Sequence, residues 1–528
     1  MDLLVVGGGI TGAGIARDAA MRGLSTILVE QRDLAFGTSS RSSRLIHGGL
    51  RYLEEGDLKL VFEALGERKV LLTIAPHLVR PLPFIFPVHR GDRVPLWKIW
   101  AGIWLYDLLA TFRNVRRHRF LGKRGLLQLE PMLKEKGLQG GARYYDAQCH
   151  DARLTLATAR SAIRHGALVA NYVTVDDLLK ADGRVRGARV RDTITGATGT
   201  IQAHVVVNAT GPWCDRLRRM EDPATPPLLR TTKGVHVMVR RQKLGHEAAI
   251  TLTSPIDGRV MFVLPWGDFS YIGTTDTDTG EGPDEVRATP EDVVYLLRSA
   301  NAAFPNAHLG PADVLATWAG LRPLISPPDA VGASQVPREH VILEGAGGML
   351  TIAGGKLTTY RLMAQELVDH VTRALAALDG RVRPPHPPTD EEALPGGEVA
   401  DLRPLGQPGL DLGLPAATVD HVVQTFGTEC AAIFNLVRDR RELATPLDPS
   451  YPAIEAEVVH IARRELAQRV EDVLVRRLLL YYETADQGAA AAGRVAELLG
   501  AELGWEPARI ADAAAEYRAG LGPPAATP

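Results

Sequence analysis

The chain has 528 residues, more than one simple core accommodates, so two or three domains are expected. Hydrophobic residues make up 45% and charged residues 23%, ordinary values for a globular protein, and a net charge of -2 gives no electrostatic reason to expect a nucleic-acid partner. Three cysteines (Cys149, Cys214 and Cys430) without a CxxC pair argue against a disulfide framework or a zinc site, so no metal is expected and a reducing cytoplasm fits.

The start, MDLLVVGGG, lacks the basic residues and longer apolar stretch of a secretion signal, and no window reaches the roughly 20 apolar residues of a membrane span. Leu3 to Val6 reads as a buried parallel strand stopped by glycines. Ile10 to Arg22 carries small and apolar residues at helical spacing, closed by Gly23, and Ser25 to Val29 reads as the next strand, ending at Glu30. A Ser/Arg/Gly-rich segment, Thr38 to Leu53, precedes helical periodicity from Glu54 to Leu72. Val205 to Val207 predicts a further strand, and alternation in Gly234–Val239 and Arg259–Leu264 predicts a β-rich region. Met349 to Ala353 reads as a last strand, leading through Gly354, Gly355 and Lys356 into a helix from about Thr358. The Pro-rich stretch Gly380–Gly397 reads as a linker, the sequence beyond it as helical, particularly Tyr451 to Leu499, and 521–528 as a disordered tail.

The run Gly7, Gly8, Gly9, Ile10, Thr11, Gly12 fits GxGxxG with its required context: a strand before, a helix after, and an acid, Glu30, closing the next strand. Glycines permit a tight turn and close backbone approach to a pyrophosphate at the helix N-terminus, while Glu30 suits ribose hydroxyls. Two features favour FAD over a nicotinamide cofactor. A hydroxyl-rich loop, Thr38 to Ser43, follows the second strand, and a second glycine-rich strand end, Ala209, Thr210, Gly211, lies far downstream, as if the chain returned to the same ligand.

Five stretches then resemble the FAD-dependent, quinone-linked glycerol-3-phosphate dehydrogenases: Ser39–Leu53 (SSRSSRLIHGGLRYL), Asn208–Trp213 (NATGPW), Gly273–Asp276 (GTTD), Gly320–Pro323 (GLRP) and Gly354–Arg361 (GGKLTTYR). The resemblance runs over nearly the whole chain. It implies an α/β fold with a Rossmann-like FAD-binding domain of the glutathione-reductase/D-amino-acid-oxidase type, a β-rich substrate domain and an all-α C-terminal domain. Residues 1–379 would form the oxidoreductase region, with FAD-binding segments at about 1–75, 145–230 and 335–379 and substrate or cap segments at about 76–144 and 231–334. A linker at 380–397 and a helical domain at 398–520 would follow. The implied reaction oxidises sn-glycerol 3-phosphate to dihydroxyacetone phosphate and passes electrons to a membrane quinone; a homodimer is left open. Residues expected on the cofactor are Gly7, Gly8, Gly9, Ile10, Thr11, Gly12, Glu30, Gln31, Thr38, Ser39, Ser40, Ser42, Ser43, His47, Gly48, Gly49, Leu50, Val173, Ala209, Thr210, Gly211, Trp213, Gly355, Lys356, Leu357 and Thr358.

A phosphorylated polyol needs fixed cations, and Arg51 with Tyr52, Arg322 and Lys356 sit beside glycines or prolines that bring backbone close to a ligand. Arg338 is a further candidate, with an ion pair to Glu339 as the plain alternative. Hydride loss from C2 requires removal of the hydroxyl proton, and His is closest to the needed pKa. His236, in an alternating strand, is the expected base, with Arg322 and Lys356 stabilising the oxyanion; His47 either takes part or packs on the cofactor. Thr274, Thr275 and Asp276 either shape the cavity or cap a turn.

The segment Val94–Phe112 clusters Trp97, Trp100, Trp104 and Tyr106 before Arg113, Arg116, Arg117 and Arg119. It is expected to be a monotopic helix attaching the protein peripherally to the inner face of the cytoplasmic membrane, with a buried helix carrying a basic end as the alternative. Glu471, Asp472, Arg476 and Arg477 are expected on a solvated ion-pair face. Competing functions are a peroxide-producing glycerol-3-phosphate oxidase, an amino-acid or sarcosine-type oxidase, and an FAD-bearing scaffold without catalysis.

Overall fold

The structure, a computed structural model, describes residues 1–50, 52–53, 56–110, 116–325, 340–380 and 387–521. The expected βαβ start is present: β1 (Leu3–Val6), α1 (Ile10–Met21) and β2 (Thr26–Val29). Because side chains alternate along a strand, Leu3 and Val5 pack with Ala13, Ala16 and Ala19 of α1, while Leu4 and Val6 pack on the other face with Val206 and Leu217. The small residues of α1 let it lie close to the sheet.

A six-stranded sheet runs in the order His340–Glu344, Leu350–Gly354, Val205–Asn208, β1, β2, Leu168–Ala170. All neighbours pair in parallel except the first two. The register sets Val6 beside Asn208 and Val29, so the glycine turn after β1 emerges level with Ala209 and Glu30. A second, ten-stranded sheet carries Leu229–Arg240, whose neighbours are Phe269–Gly273 and Ala316–Ile325, and it also holds Val79–His89 and Leu138–Cys149. Its register places His236 opposite both Gly273 and Trp318.

Beyond residue 397 the described chain is mainly helical, with its own core around Val422, Ile433, Val458, Val495 and Leu499. Two local expectations change. Tyr451–Ile454 is a strand, paired with Pro446–Asp448, because Asp448 accepts from the Ser450 N–H and hydroxyl and closes a tight turn. The stretch 387–397 lies packed against the molecule: Leu394 is fully buried, and the buried Arg17 donates to the carbonyls of Thr389 and Glu392 at 2.8 Å each. Its first half, 381–386, and the tail, 522–528, lie outside the described residues.

The solvated ion-pair face is corrected. Asp472, Arg476 and Arg477 are buried, and only Glu471 is substantially exposed. Local spacing suggested pairing along one helix. The principal partner is instead Asp33, just beyond β2, which accepts two bonds from Arg477, at 2.6 and 2.9 Å, and one from Arg476 at 2.5 Å. The helix Leu96–Leu109 buries Ile99, Ile103 and Tyr106 and leaves its tryptophans in solvent, so it is not the fully buried helix of the plain reading.

Candidate active site

One cavity of about 550 Å³ lies where the two large sheets meet. At one end stand Gly7, Gly9, Ile10 and Thr11 of the glycine turn. Gly7 has φ of +114°, and a Cβ there would lie 2.5 Å from the Ala209 carbonyl oxygen. At Gly12 a Cβ would lie 1.9 Å from the Gly7 oxygen, so only glycine lets α1 start against the strand end. The Ser39 hydroxyl accepts from the Ile10 N–H at 2.9 Å, tying the hydroxyl-rich loop to the helix N-terminus. Glu30 lines the cavity and accepts from the Gly8 N–H at 2.6 Å and the Arg32 N–H at 2.9 Å. Burial pushes its carboxyl upward, and those two donors oppose the shift.

From this end the lining continues through Gln31, Thr38, Ser39, Ser42 and Ser43, with Val173, Ala209, Thr210, Gly211 and Trp213 opposite. Gly355, Lys356, Leu357, Thr358, His47, Tyr52, His236 and Arg322 complete it. The remaining expected cofactor residues stand behind the wall. Gly8 donates to Glu30, and a Cβ on Gly12 would meet the turn. Ser40 is buried, Gly48 donates to the Tyr106 hydroxyl, Gly49 packs under Tyr52, and Leu50 joins the neighbouring core. Arg51 and Arg338 lie outside the described residues.

The donor set suits a dinucleotide. A glycine cradle with α1 behind it would take a pyrophosphate, the Glu30 carboxylate a ribose, and the row of hydroxyls a polyol chain. Sequence reasoning missed Val175 and Asp176, and also Arg41, which packs over the Phe36 ring and whose pKa burial lowers. Arg41 sits inside the SSRSSR run, and its place among serines was the available signal.

At the other end, side chains do the work. Arg322 donates to Asp276 and Thr274 at 2.9 Å each and to the Thr275 carbonyl at 3.1 Å. Of the two alternatives for Thr274–Asp276, Thr274 lines the cavity, while the Asp276 carboxylate fixes the Arg322 guanidinium rather than capping a turn. A Cβ on Gly234 would lie 2.6 Å from Arg322, so glycine there leaves room for the fork. The Lys356 ammonium stands 3.5 Å over the Tyr52 ring. The His47 N–H donates to the Thr358 hydroxyl at 3.2 Å, joining the HGG and GGK turns.

His236 is 2% exposed, stacks on Trp318 with ring centroids 4.8 Å apart, and pairs its Nε2 with the Ser43 hydroxyl at 2.9 Å. Burial, then the charges of Arg322 and Arg44, holds its pKa well below the usual histidine range, so the imidazole is neutral. Arg44 is fully buried among Trp266, Trp318 and Tyr482, within 5.0 Å of each ring.

The family described as FAD dependent oxidoreductase matches residues 2–361, and that described as C-terminal domain of alpha-glycerophosphate oxidase matches 387–510. Glycerol-3-phosphate dehydrogenase 2 of Mycobacterium tuberculosis is 40% identical over 526 residues, covering 98% of this chain and 87% of that protein. The mitochondrial glycerol-3-phosphate dehydrogenase of Bos taurus is 38% identical over 528 residues, covering 96% of this chain and 71% of its own. The crystal structure of the Bacillus halodurans glycerol-3-phosphate dehydrogenase complexed with FAD superposes with a TM-score of 0.81 at 31% identity, covering 98% of this chain and 94% of that one. Glycine oxidase from Geobacillus kaustophilus, at 23% identity and a TM-score of 0.53, shares the fold alone. With the fold, the cavity and these relatives in agreement, the chain belongs to the FAD-dependent glycerol-3-phosphate dehydrogenase family.

Proposed function

We propose that the chain oxidises sn-glycerol 3-phosphate to dihydroxyacetone phosphate and delivers the electrons to a membrane quinone. The observation that carries this reading is the meeting of Arg322, Lys356 and a neutral His236 in the wall of one FAD-suited cavity. FAD, when bound, supplies the acceptor for the hydride leaving C2. Arg322, its plane fixed by Asp276, and Lys356 hold the phosphate and steady the negative charge that grows on the C2 oxygen. Arg51, Tyr52 and Arg338 are assigned to the same phosphate on sequence context. His236 takes the hydroxyl proton, directly or through Ser43, whose hydroxyl reaches both the cavity and Nε2. A base of lowered pKa is always in its accepting form at neutral pH, but it pulls weakly, so the cations must carry much of the barrier reduction. His47 lies on the Thr358 turn and is assigned to packing on the cofactor or assisting the base.

For the cofactor, we assign the glycine-turn N–H groups to the pyrophosphate, Glu30 to a ribose, and the Thr38–Ser43 hydroxyls to the ribityl side. Gly355 to Thr358 and Ala209 to Trp213 would enclose the remainder.

Quinone delivery requires a lipid surface. On the helix Leu96–Leu109, Trp97, Trp100, Trp104 and Leu108 are 70%, 51%, 45% and 56% exposed, and Phe62 and Leu58 of the adjoining helix Leu58–Ile74 are exposed as well. Exposed Arg116, Arg117 and Arg119 follow. Among the described residues no helix is long and apolar enough to cross a membrane. An apolar aromatic face edged by arginines supports peripheral attachment to the inner face of the cytoplasmic membrane.

The test is anaerobic addition of sn-glycerol 3-phosphate to the holoenzyme. Bleaching of the flavin absorbance is expected, and an unchanged spectrum sinks the reading. In air, a low peroxide yield beside rapid quinone reduction is expected; one peroxide per turnover would make the chain an oxidase.

A further inference from the structure

We infer that Arg477, with Arg476, is a positioning residue for the cofactor: the C-terminal helical region holds FAD in place by gripping the back of the loop that follows β2. The loop runs from Glu30 to Arg41. Its front, including Glu30, Gln31, Thr38 and Ser39, lines the cavity, and its back, from Asp33 to Ala35, is fully buried. Ala35 has φ of +64°, a conformation that a non-glycine residue holds only when its surroundings impose it, and its N–H donates to the Gly8 oxygen at 3.0 Å. The loop is therefore strained and joined directly to the glycine turn.

What imposes the shape comes from the far end of the chain. Besides their bonds to Asp33, the two arginines are themselves anchored. Arg476 donates to Asp472 at 2.5 Å, and Arg477 donates to the carbonyls of Glu465 and Asp472 at 2.7 and 2.9 Å. The Tyr172 hydroxyl donates to Asp472 at 2.7 Å, and the Tyr172 N–H donates to the Arg32 carbonyl, closing a ring around the loop. One clamp thus meets Asp33 three residues beyond Glu30 and six before Ser39. A buried ion pair contributes little net stability against an apolar replacement, yet it enforces one geometry strongly. Such a device suits shape-holding better than general adhesion between domains. The inference concerns FAD alone and stands or falls independently of the substrate.

The experiment measures FAD release from the holoenzyme, by recovery of flavin fluorescence on dilution, beside urea unfolding. Arg477→Met is expected to release FAD faster by roughly tenfold or more, because a buried pair loses a partner. The turnover number and substrate KM at saturating FAD should stay within about twofold of the parent, and Arg477→Lys should restore part of the retention. Arg80→Met serves as control. It breaks the Arg80–Gln424 bonds between the ten-stranded sheet and the C-terminal region, at 2.6 and 3.1 Å, whose partners are neither Asp33 nor Glu465, and is expected to lower the urea midpoint while leaving FAD release unchanged. Should Arg477→Met not accumulate as folded protein, Asp33→Asn reads the same quantity. Parent-like release from the clamp variants, or equal acceleration in Arg80→Met, overturns the inference.

Discussion

The two ends of the cavity are built on different principles. At the cofactor end the backbone forms the surface: a glycine turn, the first turn of α1 and strand ends placed level by sheet register. At the other end side chains form it, each held by a neighbour distant in sequence, as Asp276 holds Arg322 and Trp318 stacks on His236. A backbone-built surface has almost no tolerance for added atoms. A side-chain-built one can lose a member and keep its shape, so damage there should separate binding from chemistry.

Gly12→Val is the hardest break. A Cβ 1.9 Å from the Gly7 oxygen cannot be accommodated, so the purified protein should carry no flavin absorbance. Retention of a full complement of FAD would mean that the turn is more tolerant than its geometry states. Arg322→Met tests the opposite end: FAD should stay bound while kcat/KM for glycerol 3-phosphate falls by about 10²–10³-fold. Loss of flavin from that variant would erase the contrast between the ends.

His236→Asn should lower the rate of anaerobic flavin reduction by on the order of 10²-fold, the low end for a general base, because the imidazole is weakly basic. Its pH signature has a definite sign. With a folded pKa below the unfolded value of about 6.5, the imidazole stays neutral above that pH, and no ionisation of His236 should appear in the rate between pH 7 and 9. Unfolded chain takes up the proton on acidification before folded protein does, so this group's contribution to stability is lost as pH falls below about 6.5. A rate limb near pH 7 that vanishes in the variant would refute the neutral-base assignment. The smallest effect lies outside the cavity. Trp100→Ser should weaken binding to anionic vesicles by about tenfold, the equivalent of roughly 1.4 kcal/mol of ring burial, with flavin reduction by substrate untouched.

The same contrast explains what was legible in the chain itself. The turn Gly7–Gly12, Glu30 and the Thr38–Ser43 loop were readable because backbone geometry constrains neighbours in sequence, and glycine is the sign it leaves. His236 and Arg322 were readable as candidates from their glycine-flanked and alternating contexts, but their partners were not. Nothing local announces that Ser43 meets His236 across 193 positions, or that Trp318 lies under its ring. Arg476 and Arg477 failed for the same reason. An i,i+4 pattern with Asp472 looked like a surface, and burial against Asp33 is a tertiary fact. The tryptophan helix left two readings because its composition suits a core and a lipid interface equally; only exposure separates them.

The Asp33–Arg477 pair also orders events in time. The two residues are 444 positions apart, so a ribosome has made the whole dinucleotide-binding half long before the second partner emerges. Until then Asp33 is a carboxylate facing a surface destined for burial, with the loop beside it able to relax out of its strained shape. On the clamp proposed above, the cofactor cradle is a late product of folding, completed when the C-terminal helices dock, and contacts of such long sequence separation are among the slowest to form.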